Sequence, residues 1–175
     1  MKILITTTSF QDTPGKHQDL LYKQGFEIDT LRGPILEAEL LPIIQNYDAV
    51  ICGDDEYTEK VIKKGTEGNL KYISKYGVGL DRIDLKAAKK YGVPVTNCPA
   101  VNQVSVSEHV LALLLSFERN IHLQYNSVQK RSWKRLVGNE IHGQTIGIIG
   151  LGSVGKELAK KASALGLDVL GFDLE

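Results

Sequence analysis

The residues best suited to chemistry are Gly150-Leu151-Gly152-Ser153-Val154-Gly155, followed eighteen positions later by Asp173. This is a Gly-x-Gly-x-x-Gly pattern, and each glycine has a physical task. Gly150 permits a tight turn out of a strand. Gly152 lacks a side chain, so a pyrophosphate can approach the backbone. Gly155 lets the following helix pack closely on the strand. The first amides of that helix, through Ser153 and Val154, carry unpaired N–H groups and a partial positive charge suited to a diphosphate. Asp173 lies near the spacing expected for a carboxylate that accepts hydrogen bonds from the adenosine ribose hydroxyls. A carboxylate there repels the additional phosphate of NADP, so the pattern favours NAD.

A second glycine pair lies in Tyr76-Gly77-Val78-Gly79-Leu80-Asp81. Backbone amides of such a stretch can converge into an anion-binding nest suited to a substrate carboxylate. Gly-x-Gly serves any tight strand-to-helix turn equally well, and the residues alone leave both readings open. Asp54-Asp55-Glu56 could supply acid–base carboxylates, but a solvated loop is the plainer reading. His109 on an apolar helix reads as a packing residue. His17, His122 and His142 have no ligand partners at metal spacing, so no metal is expected. No Gly-x-Ser-x-Gly nucleophile elbow is present. Cys52 and Cys98 are 46 residues apart, neither a metal spacing nor a disulfide framework.

These residues need elements to hold them. Residues 145–149 form a β-branched apolar run, as in a strand buried on both faces. A helix over 154–165 presents Leu158, Ala159, Ala162 and Leu165 on one face, and 167–173 reads as a second strand ending on Asp173. Upstream, residues 2–7, 26–31, 48–52, 70–77 and 94–97 read as strands. Helical patterns fall between them at 17–25, 35–46 with a break at Pro42, 58–65, and 84–92 with Asp84 as N-cap. Strands alternating with helices predict a doubly wound parallel α/β sheet, flavodoxin-like, over 1–98. After a linker at 99–103, the longest helical stretch covers 106–123. Its apolar positions Val106, Val110, Leu113, Leu114, Phe117 and Ile121 follow helical spacing, and Leu111 and Leu115 widen that surface to two sides. Ser105 and Glu108 suggest a capping box at its start. Residues 124–144 are polar, with Lys130, Arg131, Trp133, Lys134 and Arg135. That cluster could touch nucleic acid, but a solvated connection or subunit arm suits the chain better.

Charge decides that point: 21 Lys and Arg cancel 21 Asp and Glu. A neutral chain lacks the basic surplus expected of a nucleic-acid coat or a membrane-surface binder. No apolar run approaches the ~20 residues of a spanning helix. The N-terminal apolar stretch is shorter than a secretory signal, and a reducing, cytoplasmic setting is expected.

Taken in order, the motifs point to a family. The chain resembles the D-isomer-specific 2-hydroxyacid dehydrogenases, most closely the phosphoglycerate dehydrogenase-like branch. The resemblance is carried by residues 76–121, by 131–173, and by the strand pattern of 1–52. It preserves the order Gly-x-Gly-x-Asp, Asn-x-Pro-x-x-Asn, Ser-Val-x-Glu-His, the tryptophan motif at Ser132-Trp133, and the glycine motif.

The resemblance implies an NAD-dependent oxidoreductase that moves a hydride between nicotinamide and C2 of a 2-hydroxy or 2-keto acid. It implies a substrate-binding domain over 1–98, lacking its C-terminal return segment. The first β-α-β of a Rossmann NAD-binding domain would lie within 99–175. The Val78 and Gly79 amides would hold the substrate carboxylate, with Val78 also near the nicotinamide, and Asn102 would shape the cleft between domains. Ser153 and Val154 would contact the diphosphate and Asp173 the ribose, alongside Gly150, Gly152 and Gly155. Helix 106–123 and the arm at 124–140 would form a homodimer contact. The family's catalytic Arg, Glu and His lie beyond the second Rossmann strand, so no catalytic residue is expected in this chain, and the 175 residues alone are expected to be inactive. His109 matches a non-catalytic family histidine. Cys52-Gly53-Asp54-Asp55 stands where relatives with a phosphorylated substrate carry a basic residue. That weighs against 3-phosphoglycerate, the alternative substrate. NAD-sensing corepressors of the same family supply the alternative function, a non-catalytic binding module.

Overall fold

Residues 1–174 are described by a computed structural model of the chain. The first 99 residues form one unit, Met1–Pro99. Its strands are β1 (Lys2–Ile5), β2 (Glu27–Thr30), β3 (Ala49–Cys52), β4 (Tyr72–Lys75) and β5 (Val95–Thr96). All pair in parallel in the order β2-β1-β3-β4-β5. That is the flavodoxin-like arrangement expected from the alternating pattern.

The period of two in each strand sorts side chains to opposite faces. Leu4, Val50 and Ile73 stand in register across β1, β3 and β4. They join Leu40, Val61, Ile62 and Ala87 in one core. Those partners come from α3 (Glu37–Leu40), α4 (Glu59–Glu67) and α5 (Leu85–Lys90). Ile3, Ile5 and Ala49 face the other way and pack with Phe10, Leu21, Phe26 and Ile28. Phe10 and Leu21 belong to α1 (Thr8–Asp12) and α2 (Lys16–Tyr22). Helices thus cover both faces, as parallel strands require.

Local detail departs from expectation in one place here. The short α1 has no sequence signal beyond Phe10, whose burial holds it. The stretch 35–46 breaks at Pro42 as expected, into α3 and a separate 3₁₀ turn, Ile44–Asn46. Asp84 caps α5 as expected, accepting from the Ala87 amide at 2.9 Å.

The second unit, Ala100–Glu175, holds α6 (Gln103–Glu118), α7 (Ile121–Gln129), β6 (Thr145–Ile149), α8 (Ser153–Ala164) and β7 (Asp168–Phe172). β6 and β7 pair in parallel around α8. Leu111, Ile148 and Leu158 form the core of this unit.

The helix expected over 106–123 is two helices, and the cause lies in distant residues. Asn120 adopts a left-handed conformation, φ 54°, which ends α6. Its side chain donates to the Val137 carbonyl at 2.9 Å, and the Asn139 amide donates to the Glu118 carbonyl at 2.8 Å. Gly138 makes this close approach possible: a Cβ there would sit 2.5 Å from the Glu118 oxygen. The expected capping box is absent too. α6 starts at Gln103, two residues before Ser105. Glu108 instead pairs with Lys161 of α8 at 3.2 Å, and Lys161 also reaches Ser107 at 2.9 Å. The two-sided burial expected for this helix is not found within the unit. Ser107 and Leu111 are buried, while Leu113 and Phe117 are exposed.

Candidate functional site

Two loops at carboxyl ends of parallel strands hold most of the expected residues, one in each unit. The first follows β4. The Cys98 amide donates to the Gly77 carbonyl at 2.9 Å. The Asn97 side chain donates to the Val78 carbonyl at 2.7 Å. A trans peptide sets its N–H opposite to its C=O. With both carbonyls held toward the β5 end, the Val78 and Gly79 amides must face away from it. Neither amide has a hydrogen-bond acceptor among the described residues, and both residues are exposed. Two adjacent free amides of this kind form a nest for a carboxylate.

Lys75, at the end of β4 beneath this loop, was not singled out by sequence reasoning; it is only 6% exposed. Its ammonium donates to the Gly53 carbonyl at 2.6 Å and to Asp54 at 2.5 Å. Asp54 itself is 83% exposed. The loop 53–56 is therefore not the plain solvated acid cluster expected. Asp55 is fully buried and accepts from the Ile35 amide at 2.7 Å, the Gly53 amide at 3.0 Å and the Thr6 hydroxyl. Glu56 pairs with Arg82 at 3.0 Å. Asp55 is thus a fastener that ties the ends of β1 and β3 to the segment at 35. The nearest sequence signal was its place directly after a strand end, where such sheets carry their sites.

Tyr76 opens the loop against aromatic neighbours. Phe10 meets it edge-on at 5.5 Å and His17 stacks on it at 6.1 Å between centroids. Cys98 is half-buried, whereas Cys52 is buried and its thiol is pushed up to about 12, chiefly by loss of solvent.

The second loop joins β6 to α8. Gly150 has φ +95°, a conformation open to glycine. A Cβ on Gly155 would collide with the Gly150 carbonyl oxygen, whereas one on Gly152 would meet nothing within 4 Å. Ser153 and Val154 open α8, with Gly152 as its N-cap, so their amides lie in the turn that has no intrahelical partners. Asp173, just past β7, accepts from the Leu151 amide at 2.6 Å and the Leu174 amide at 2.7 Å. Those two amides, Leu151 first, hold its carboxyl below the usual range. A carboxylate has about four acceptor positions, so two remain for further donors. Sequence reasoning did not anticipate that Asp173 also braces the glycine loop.

Gly150, Gly152, Ser153, Val154, Gly155 and Asp173 are therefore gathered around one turn, and Val78 and Gly79 around another. Asn102 sits at the head of α6, exposed, and its side chain makes no hydrogen bond among the described residues. His109 is exposed on α6 rather than packed. Among the described residues no group of three or more His, Cys, Asp or Glu gathers as for a metal. No helix among them is long and apolar enough to cross a membrane.

Comparison with known proteins matches residues 4–166 to the family model for the D-isomer specific 2-hydroxyacid dehydrogenase catalytic domain. The D-3-phosphoglycerate dehydrogenase of Synechocystis is 36% identical over 156 residues, covering 87% of this chain and 28% of that protein. Among solved structures, the TT0316 protein from Thermus thermophilus superposes with a TM-score of 0.88 at 32% identity, covering 100% of this chain and 57% of that one. The NAD+-bound 3-phosphoglycerate dehydrogenase of Entamoeba histolytica gives 0.75 at 26% identity, covering 99% and 54%. The chain spans about three tenths of the length of the first curated relatives it matches.

Proposed function

The chain belongs to the D-isomer specific 2-hydroxyacid dehydrogenases, and from that premise we propose that it supplies two binding loops of an NAD-dependent oxidoreductase. The first unit is the substrate side and the second the start of the cofactor side. The substrate is a small 2-hydroxy or 2-keto acid. The observation that carries this reading is the outward pair of amides at Val78 and Gly79, fixed by Asn97 and Cys98. They bind the acid's carboxylate and set the direction in which C2 is presented, with Val78 also beside the nicotinamide. Asn102, exposed at the head of α6, is proposed as a further substrate-binding residue.

Support for the cofactor comes from the other loop. A diphosphate needs an open backbone and convergent N–H groups. Gly152 leaves the space, and the Ser153 and Val154 amides supply donors at the head of α8. Gly150 and Gly155 hold the turn in shape, and Asp173 takes the ribose hydroxyls with its remaining acceptor positions. When bound, NAD supplies the hydride acceptor and its reduced form the donor. Asp173 carries negative charge where a 2′-phosphate of NADP would lie, so NAD is preferred. Self-association uses α6 and α7, where Leu113, Phe117, Ile121 and Leu123 are exposed.

The test is spectrophotometric NADH oxidation by the protein carrying this chain, with glyoxylate, pyruvate and hydroxypyruvate offered in turn. Turnover of any of them, lost with NADPH, is expected. No turnover, with NAD-dependent capture of another protein instead, overturns the enzyme reading in favour of a binding module.

A further inference from the structure

We propose that Lys161 is a positioning residue for the substrate: from α8 it fastens the first turn of α6 and so fixes Asn102, the residue from which that turn starts. This rests on the substrate role proposed above for Asn102 and adds what holds that residue in place. Both helices belong to the second unit. The head of α6 does not fasten itself. Asn102, its N-cap, makes no side-chain cap, and no acidic residue stands in the first turn to meet the free amides. Gln103 does not help, since its Oε1 is buried with no hydrogen-bond partner among the described residues. Two residues upstream of Asn102, Ala100 has φ 53°, in the left-handed region that residues with a Cβ disfavour. A backbone of that kind persists only where its surroundings hold it.

Lys161 supplies the hold. Its ammonium has three N–H donors. It lies 2.9 Å from the Ser107 hydroxyl, 3.3 Å from the Val104 carbonyl and 3.2 Å from the Glu108 carboxylate. Glu157, one turn back on α8, stands 3.3 Å from the same ammonium. The direction of this network is fixed. The Ser107 hydroxyl spends its one proton on the Val104 carbonyl at 2.7 Å, so it can only accept from Lys161. Ser107 is fully buried and Lys161 is 23% exposed, so water replaces these bonds poorly. Val104, Ser107 and Glu108 all lie in the first two turns of α6, and the Val106 amide returns to the Asn102 carbonyl at 2.9 Å. Holding Val104 and Ser107 therefore holds Asn102. Lys161 itself is nine residues along α8 from Gly152, roughly 14 Å at the rise of a helix. That is too far to touch a diphosphate at the glycine loop, so its effect passes through α6.

The experiment is steady-state kinetics of the protein carrying this chain, at saturating NADH with glyoxylate, pyruvate or hydroxypyruvate varied, combined with amide hydrogen exchange. Asn102→Ala removes the side chain that meets the acid. Lys161→Met keeps an unbranched side chain and loses the three donors. Each is expected to raise the KM for the acid about tenfold with kcat within threefold, since a contact made equally in ground and transition state appears in KM. The double variant is expected to match Asn102→Ala alone, because two residues acting through one contact do not add. Lys161→Arg, which keeps the charge and the donors, should return KM to within threefold of the unmodified protein. Exchange at the Val106, Ser107 and Glu108 amides should quicken by about tenfold in Lys161→Met, with β6 unchanged. A merely structural lysine would lower protection throughout the unit, and its effect on KM would multiply with that of Asn102→Ala. Either result, or an unchanged KM or unchanged exchange at Val106 in Lys161→Met, refutes the positioning role and leaves the substrate reading standing. If Asn102→Ala leaves KM unchanged, or no acid is turned over, the substrate reading itself fails and the positioning role falls with it.

Discussion

Asp55→Ala tests whether the loop after β3 is a structural fastener. The wild-type carboxylate accepts from two backbone amides, Ile35 and Gly53, and from the Thr6 hydroxyl, with no solvent exposure. Removing it orphans those donors. Thr6 has a second acceptor, the Ile51 carbonyl at 3.5 Å, so its hydroxyl can turn. The two amides have no such alternative. Each unsatisfied buried donor costs about 1–3 kcal/mol, which gives roughly 2–6 kcal/mol. A water entering the vacated space would find three polar partners and recover part of this, so about 3 kcal/mol is expected. Asp55→Asn keeps the volume and admits no water. Its NH2 must face either Ile35 or Gly53, orphaning one amide, so about 2 kcal/mol is expected. Denaturation of a chain with two units mixes two transitions, and the single Trp133 reports on the second unit. Amide hydrogen exchange resolves them. At 1.4 kcal/mol per tenfold, Asp55→Ala should lower protection in β1, β3 and β4 by about two orders of magnitude, with β6 as the internal reference. Protection within threefold of wild type in those strands would refute the fastener.

The glycine loop should separate stability from ligand affinity. Gly155→Ala gains about 1 kcal/mol of helix propensity but drives a Cβ into the Gly150 carbonyl, and overpacking costs about 1–3 kcal/mol with backbone on one side unable to yield cheaply, so exchange protection in β6 and α8 should fall. Gly152→Ala, which meets nothing within 4 Å, should leave protection unchanged and weaken NAD binding measured by titration calorimetry; the reverse pattern refutes the assigned roles. Asp173 should titrate below the ~3.9 of an unperturbed aspartate, because the folded state favours its anion through Leu151 and Leu174. Its stabilising contribution is therefore present above the unfolded value and lost as pH falls through the folded one, and a Leu151 amide shift with a midpoint at or above ~3.9 contradicts it. With Cys52 pushed up to about 12, only about one in ten thousand of its thiols is ionised at pH 8; a disulfide reagent should label Cys98 alone until the chain is unfolded, and prompt labelling of both would refute the burial of Cys52.

What the sequence showed, and what it hid, divides by the range of the interactions. The strands of the first unit were legible because their apolar patterns are local, and the central β1 and β3 are buried along nearly their whole length. The Asp84 cap was legible because its donor, the Ala87 amide, lies three residues away. The break between α6 and α7 was hidden because it is made by Val137 and Asn139, some twenty residues downstream. Composition through 106–123 is uniformly helical, and nothing within it announces Asn120. The false capping box has the same origin. Ser105 and Glu108 have the right spacing, but the helix begins earlier and Lys161 claims the glutamate. Asp55 looked like one of three equivalent acids. Only the convergence of Thr6, Ile35 and Gly53, from three separate segments, distinguishes it from its neighbours.

The same division governs the loop after β4. Gly77 and Gly79 give the backbone permission to turn, and permission is all that a local glycine pattern expresses. Direction comes from Asn97 and Cys98 at the end of β5, which take the two carbonyls and thereby turn the two amides outward. The sheet brings those residues together because β5 pairs with β4 in parallel, Ile73 opposite Val95 and Ser74 opposite Thr96. A shift of one residue in that register would offer Asn97 a different carbonyl and leave the nest unformed. The glycine motif of the second unit was easier to interpret because its direction is set within the motif. The helix that follows points its own first amides back at the turn, and Asp173 closes it from the adjoining strand. A nest built by a helix start is therefore legible from one stretch of sequence. A nest built by strand pairing becomes legible only when the partner strand is known.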